Sequence, residues 1–263
     1  MKTFVIVGCG HLGNIVANAY RNGLLKDYKL IGAHSRNSDD TMELLKGIDA
    51  AVCGDIPSLL ALKPDFIVET ASIKLLKEFA VEALSKGSSV IPLSIGAFAD
   101  EEFKESCKEA ARKGSSKVYI PSGAVGGFDV LSTISLMAEV KKQDIKAGIH
   151  TSKGPNSLKN TPLYDEELQS SKKDVFTGST KDAISLLPTK VNVAIATALS
   201  TIGPDNTSAK ITSIPSFPGD DHKLTVETDG LKAVVDIWSE KSDIAAWSVV
   251  ALLRNLSSEI EFF

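Results

Sequence analysis

The sequence predicts an α/β protein: a doubly wound parallel sheet, followed by a second domain of mixed strands and helices. Three observations carry this reading. The chain opens with an apolar run, Phe4-Val5-Ile6-Val7, that ends in Gly8, Gly10 and Gly13 and passes at once into an amphipathic segment. Strand-like and helix-like runs then alternate as far as residue 120. Beyond residue 143 short strands dominate, and past Gly203-Pro204 apolar and polar residues alternate with period two. Alternating strand and helix implies parallel strands joined by right-handed crossovers. Period-two alternation implies strands with one buried face.

The first element is the most informative. In the G-x-G-x-x-G spacing, Gly8 permits a tight turn, Gly10 lets backbone approach a pyrophosphate, and Gly13 lets helix and strand pack closely. The helix that follows offers unpaired N–H groups to phosphate. A bound dinucleotide is the ligand this predicts, with His11 and Leu12 inside the same loop. Residues 28–34 form the second strand. NAD-selective folds place Asp or Glu at its end, against the ribose 2′-hydroxyl; this chain has His34-Ser35-Arg36-Asn37. Ser35 is suited to hydrogen-bond a 2′-phosphate, and Arg36 to pair with it. NADP is therefore preferred over NAD; the alternative is that Arg36 is a solvated loop residue and either cofactor binds. His34 reads as a packing residue.

A short helix over 42–45, a short strand at 51–52 and a helical turn from Pro57 follow. Residues 65–70 form another strand, ending in Glu69-Thr70-Ala71-Ser72 beside the expected cofactor, where Ala71 is a contact and Glu69 is either a ribose or a structural contact. A helix over 73–84 closes at Lys86-Gly87, residues 90–93 form a strand, Asp100 caps a helix running to 112, and 117–120 reads as a further strand.

A second glycine-rich loop, residues 121–129, opens the other half. It suits contact with nicotinamide or substrate, or an interdomain hinge. Helices are expected over 130–140, 179–187 and 191–200, and strands over 143–151, 175–178, 209–214, 222–228 and 232–237, with Asp229-Gly230 as a hairpin turn. A last amphipathic helix, 243–256, returns to the first domain. The expected division is a Rossmann-type dinucleotide-binding domain, 1–121 completed by 240–263, and a substrate and catalytic domain, 122–239.

Composition narrows the function classes. The 263 residues carry a net charge of −4, so no basic field invites nucleic acid. No apolar run approaches the roughly 20 residues of a membrane span, and the first residues lack a signal-peptide layout. Cys9, Cys53 and Cys107 are widely spaced and form neither a disulfide framework nor a zinc motif. A reduced, cytoplasmic protein without a metal is expected.

Several motifs, taken in order, resemble the L-aspartate dehydrogenase family over nearly the whole chain: Gly8 to Gly13, Val68-Glu69-Thr70-Ala71-Ser72, Leu93-Ser94-Ile95-Gly96-Ala97, the loop at 121–129, Thr151-Ser152-Lys153-Gly154-Pro155, Val175-Phe176-Thr177-Gly178-Ser179 and Val191-Asn192-Val193-Ala194. The resemblance implies a two-domain fold similar to dihydrodipicolinate reductase, with oxidation of L-aspartate at Cα by NAD or NADP to iminoaspartate, which gives oxaloacetate and ammonia. It implies that Ala124 and Asn192 contact the cofactor, that His222 is the catalytic histidine, and that the chain forms a homodimer, through an open sheet of the second domain. The chain departs from the family pattern at Lys190, where a second asparagine is usual, at Asp221 and Lys223 beside His222, and at Ser239-Glu240, where Asn-Pro is usual.

The chemistry needs a base near the working pH, which His222 supplies, and groups that hold carboxylates, for which Lys153 is suited as a point charge. Ser122 and Gly123 are expected at the substrate; Lys153 and Ser122 each also read as ordinary surface or turn residues. His150, near a strand end, is a weaker candidate for the substrate site. Two rivals remain: an enzyme for a different imino or keto dicarboxylate, and a non-catalytic NADP-binding sensor.

Overall fold

A computed structural model describes residues 1–187 and 191–262; Lys190 lies outside them. The chain separates into two compact units, residues 1–123 with 243–263, and residues 124–242.

The first unit is built on five parallel strands, β1 (Lys2–Val7), β2 (Tyr28–His34), β3 (Ala51–Val52), β4 (Phe66–Glu69) and β5 (Ser89–Pro92), in the order β3-β2-β1-β4-β5. Its helices are α1 (His11–Arg21), α2 (Ser38–Leu45), α3 (Ile56–Ala61), α4 (Ile73–Ser85) and α5 (Glu101–Gly114). Central β1 is flanked by β2 and β4, and Phe4, Val5, Ile6 and Val7 are all fully buried. A parallel strand covered on both faces reads as a continuous apolar run, not as an alternating one. Side chains stop the helices from fraying at their starts: Asp55 and Ser58 form a capping box on α3, Ser72 accepts from Leu75 N–H on α4, and Asp100 accepts from Phe103 N–H on α5.

The C-terminal helix α9 (Asp243–Asn255) belongs to this unit. Its Ala246, Val249, Val250 and Leu253 are buried in the same core as Phe4, Val16 and Tyr28. The Tyr28 hydroxyl donates to the Leu253 carbonyl at 2.7 Å, and burial pushes the phenol up to about 12.

The strand expected at 117–120 is reduced to one bridge, Val118 with Val90. Val90 N–H donates to the Lys117 carbonyl and Tyr119 N–H to the Val90 carbonyl, each at 2.9 Å. The next rung requires an N–H at position 92, and Pro92 has none, so the ladder stops.

The second unit holds a mixed five-stranded sheet of β6 (Ile145–Lys153), β7 (Lys173–Ser179), β8 (Ser208–Ser213), β9 (Asp220–Thr228) and β10 (Leu231–Ser239), in the order β10-β9-β6-β8-β7. Only β6 and β8 run parallel. Gly230 takes φ +71 in the β9–β10 hairpin, the left-handed conformation that such a two-residue turn requires. Helices α6 (Phe128–Lys141), α7 (Thr180–Leu186) and α8 (Asn192–Leu199) pack on the sheet. Along β6 the buried residues alternate: Ala147, Ile149, Thr151 and Lys153 point one way, Lys146 and His150 the other. The second face carries cross-strand charge pairs, including Lys223–Asp236 at 3.1 Å and Lys210–Asp174 at 2.9 Å.

In the β6–β9 pair, β6 is displaced two residues towards the C-terminus of its expected span, and β9 is longer than expected. β6 runs on from Thr151 to Lys153, and β9 begins at Asp220, two residues before His222. The register pairs Thr151 with His222 and Lys153 with Asp220. The two extra rungs are polar, so they carry no apolar signal, and their ladder and ion pair hold them in the sheet.

Candidate functional site

The first unit presents a cleft of about 880 Å³ at the carboxyl ends of its strands, lined by Gly8, Gly10, Ser35, Arg36 and Ala71, among others. Main chain shapes its floor. Gly8 sits at φ +102, and a Cβ there would lie 2.8 Å from the Ala71 nitrogen. At Gly13 a Cβ would come within 2.1 Å of the Gly8 carbonyl oxygen, which also accepts from the Thr70 hydroxyl at 2.7 Å. Gly10 differs: nothing lies within 4 Å of a Cβ there, so this is the open side of the turn. As the N-cap of α1, Gly10 supplies no capping side chain, which leaves the first-turn N–H groups available to an anion. A cradle whose walls a Cβ would fill, closed by an uncapped helix start, fits a pyrophosphate.

Glu69 is a structural residue here. It is fully buried; its carboxylate accepts from Ala71 N–H at 2.7 Å, Ser94 N–H at 3.0 Å and the Ser94 hydroxyl at 2.9 Å. Burial pushes its pKa up, and these hydrogen bonds pull it back. The side chain therefore ties the loops after β4 and β5 together instead of reaching for a ribose. His34 is packed as expected, with Nδ1 on the Cys53 carbonyl at 2.9 Å. Ser35 is half-buried; Arg36 is exposed and forms no ion pair with another described residue. The same cleft carries Lys74 and the acids Asp40, Asp55 and Glu78. His11 is exposed, pairs with Asp243 at 2.6 Å and does not line the cleft. Leu12 is half-buried in the first turn of α1.

The second unit has a cleft of about 420 Å³, lined by Ala124, Asp220, His222, Ser239, Glu240 and Lys241 together with the turns at 154–157 and 216–219. His222 is 6% exposed, and its Nδ1 lies 2.9 Å from the Thr151 hydroxyl. Burial pushes the imidazole down to about 4; the Asp220 charge pulls it up and the Lys153 charge pushes it down again. The ring is thus neutral at neutral pH, and burial places its titration below the near-neutral range expected from the sequence. Lys153 is buried, with Nζ 3.3 Å from Asp220, so its charge is already balanced. Lys241, exposed on the rim, forms no ion pair with another described residue.

Other expected residues are dispersed. Ser122 and Gly123 fall in the first unit and Ala124 in the second, so the division of the chain runs through the second glycine loop. Ser122 is exposed, and Gly123 N–H donates to the Ser248 hydroxyl at 3.0 Å. Gly127 sits at φ +71, and a Cβ there would lie 2.5 Å from Val235, so this glycine lets the loop meet β10. Asn192 is the first residue of α8 and half-buried. His150 is turned to the opposite sheet face from His222, with Nε2 on the Thr212 hydroxyl at 2.8 Å, and does not line the His222 cleft. Asp221 and Lys223 alternate with His222 and also face away from it, so the departures at these two positions leave the ring's own surroundings intact. Ser239 and Glu240, by contrast, line the cleft. Among the described residues no group of three or more His, Cys, Asp or Glu side chains is placed to hold a metal, and no helix is long and apolar enough to cross a membrane.

Sequence reasoning missed Thr151, Asp220 and Lys241 as parts of this site. The i, i+2 spacings of Thr151 with Lys153 and of Asp220 with His222 were the available signal, since strand alternation puts each pair on one face.

Comparison with known proteins matches residues 8–121 to the model described as homoserine dehydrogenase, NAD binding domain, and residues 135–256 to aspartate dehydrogenase, C-terminal. An L-aspartate dehydrogenase of Methanocaldococcus jannaschii is 28% identical, and one of Methanocella arvoryzae 29%, each over 97% of both chains. The crystal structure of aspartate dehydrogenase from Thermotoga maritima superposes with a TM-score of 0.77 at 28% identity, covering 100% of both chains. A myo-inositol dehydrogenase of Corynebacterium glutamicum is similar in fold alone, with a TM-score of 0.55 and 13% identity over 96% of this chain and 87% of that one.

Proposed function

Because the chain belongs to the L-aspartate dehydrogenase family, we propose that it oxidises L-aspartate at Cα with NAD(P), giving iminoaspartate, which water converts to oxaloacetate and ammonia. The observation that carries this reading is His222, a buried imidazole held neutral on the wall of a polar cleft that also bears a cation, Lys241.

A bound nicotinamide supplies the hydride acceptor. The chain's own residues do the rest. The loop from Gly8 to Gly13, with His11 and Leu12 inside it, seats the pyrophosphate, and Ala71 borders it. Ala124 and Asn192 hold the nicotinamide end. His222 takes a proton from the substrate's α-ammonium, so that the nitrogen lone pair forms the C=N bond as the Cα hydrogen leaves with its electron pair. Once that proton has passed to solvent, the same imidazole takes a proton from the water that attacks the imine. Ser122, Gly123 and Lys153 belong to the substrate side, with Asp220 setting the charge that Lys153 presents.

NADP is the preferred cofactor, on the strength of Ser35 and of Arg36, an exposed guanidinium at the cleft that forms no ion pair with another described residue. The chain works as a cytoplasmic homodimer; the charge-paired face of the second sheet, with Val234 and Trp238 exposed on β10, is the surface we assign to the partner copy. A second reading, a different imino or keto dicarboxylate, draws on Ser239 and Glu240, which place a carboxylate in the His222 cleft.

Purified protein supplied with NADP or NAD and a panel of amino acids, followed at the absorbance band of the reduced cofactor, tests the proposal. L-Aspartate turnover that falls by about 10²-fold or more in His222→Ala is the expected result. Turnover of another acid alone selects the second reading, and cofactor binding with no turnover on any substrate makes the chain a sensor.

A further inference from the structure

We infer that Thr151 is a positioning residue for the reaction: its hydroxyl accepts the Nδ1–H of His222 and so leaves the Nε2 lone pair for the substrate's proton. The inference rests on His222 being the base. A neutral imidazole carries one ring proton, and for Nε2 to take a second, the first must sit on Nδ1. Nδ1 lies 2.9 Å from Oγ1 of Thr151. Both side chains are buried, with exposures of 9% for Thr151 and 6% for His222, so water does not replace the contact. The two residues face each other directly across the β6–β9 ladder, and the sheet therefore fixes the geometry. Nε2 makes no hydrogen bond to another described residue, while the ring lines the cleft.

The choice of a hydroxyl over a carboxylate has a chemical consequence. A carboxylate at this position would attract the imidazolium and raise its pKa; a hydroxyl orients the ring without adding charge. Among the described residues the charged groups around the ring are Asp220 on its own strand, Lys153 on β6, Lys210 on β8 (paired with Asp174), and Glu240 and Lys241 on the turn after β10; α8, which packs on β6, contributes no ionisable side chain. Asp220 and Lys153 form an ion pair with each other and act on the ring in opposite directions. Burial therefore sets the affinity for the proton, and Thr151 sets which nitrogen receives it.

The test compares Thr151→Val, which keeps the shape and removes the hydroxyl, with Thr151→Ser, which keeps the hydroxyl and removes the methyl. A hydrogen bond to a charged group corresponds to a factor of about 10 or more. The expected result is a fall of that size in kcat for Thr151→Val, with KM for the cofactor unchanged, an acid limb of kcat/KM displaced to lower pH, and recovery to within about threefold in Thr151→Ser. Ring ¹⁵N NMR supplies a readout independent of turnover: wild type should carry its ring proton on Nδ1, and Thr151→Val, still folded by circular dichroism, should lose that preference. A ring proton on Nε2 in the wild type overturns the inference, as does a Thr151→Val enzyme within about twofold of wild type or a Thr151→Ser enzyme as poor as the valine variant. Absence of L-aspartate turnover in the wild type would instead sink the functional reading, and the NMR result would still stand.

Discussion

The first unit shapes its cleft with main chain, the second with side chains. Around the first cleft the Gly8 carbonyl and the Ala71 nitrogen crowd the turn, and the first-turn N–H groups of α1 are left uncapped. Around the second cleft the decisive groups are the His222 imidazole, the Thr151 hydroxyl and the Lys153–Asp220 pair, brought together by the register of two strands. A backbone site tolerates change wherever the chain path survives, and fails when a side chain intrudes. A side-chain site fails when one functional group is lost, although the fold remains.

Substitutions at two glycines of one loop put the largest strain on this contrast. Gly13→Ala forces a Cβ to within 2.1 Å of a carbonyl oxygen, so it should cost ~3 kcal/mol of stability and abolish cofactor binding. Gly10→Ala meets nothing within 4 Å; it should leave the unfolding temperature unchanged and weaken only the cofactor, by about tenfold or more. Calorimetric unfolding and cofactor titration of both variants decide the matter, and equal loss of stability in the two would break the contrast.

The acid response of the second site comes next. The His222 imidazole titrates near 4 in the folded chain and near its ordinary 6.5 when unfolded. The unfolded chain therefore binds more protons between these values, and stability should fall as pH drops from about 6.5 to about 4, by ~3 kcal/mol. His222→Gln should remove that part of the pH dependence in denaturant titrations at pH 7 and pH 4.

Glu69→Gln should cost ~2 kcal/mol, since an amide NH₂ is then turned towards N–H and hydroxyl donors that a carboxylate now satisfies. Its effect should appear in unfolding temperature and cofactor affinity, with the pH profile of catalysis unmoved. The smallest change expected is at Arg36→Ala: about tenfold weaker NADP, little change in NAD, and no loss of stability, measured by cofactor titration. Equal effects on the two cofactors would remove the preference for NADP.

The same contrast explains what the sequence disclosed. The glycine spacing at 8, 10 and 13, the strand–helix alternation and the return of the last helix were legible because each is written in contiguous residues. The Thr151–His222 and Lys153–Asp220 pairs were not, because they join positions 71 and 67 residues apart and depend on a register that no local pattern specifies. The strand expected at 117–120 shows the opposite error: its residues suit a strand, but Pro92 of the neighbouring β5 removes the rung it needs beyond the single Val90–Val118 bridge.

Helix α9 carries one more consequence, for the order of synthesis. Residues 124–242 are emitted between the two parts of the first unit. Until position 253 has left the ribosome, the core around Phe4 and Tyr28 lacks Ala246, Val249, Val250 and Leu253, and the Tyr28 hydroxyl lacks its carbonyl partner. The unit begun first is thus among the last to close. A chain that stopped at position 242 would lack a wall of the nucleotide domain's core, although every residue of the glycine loop had been made.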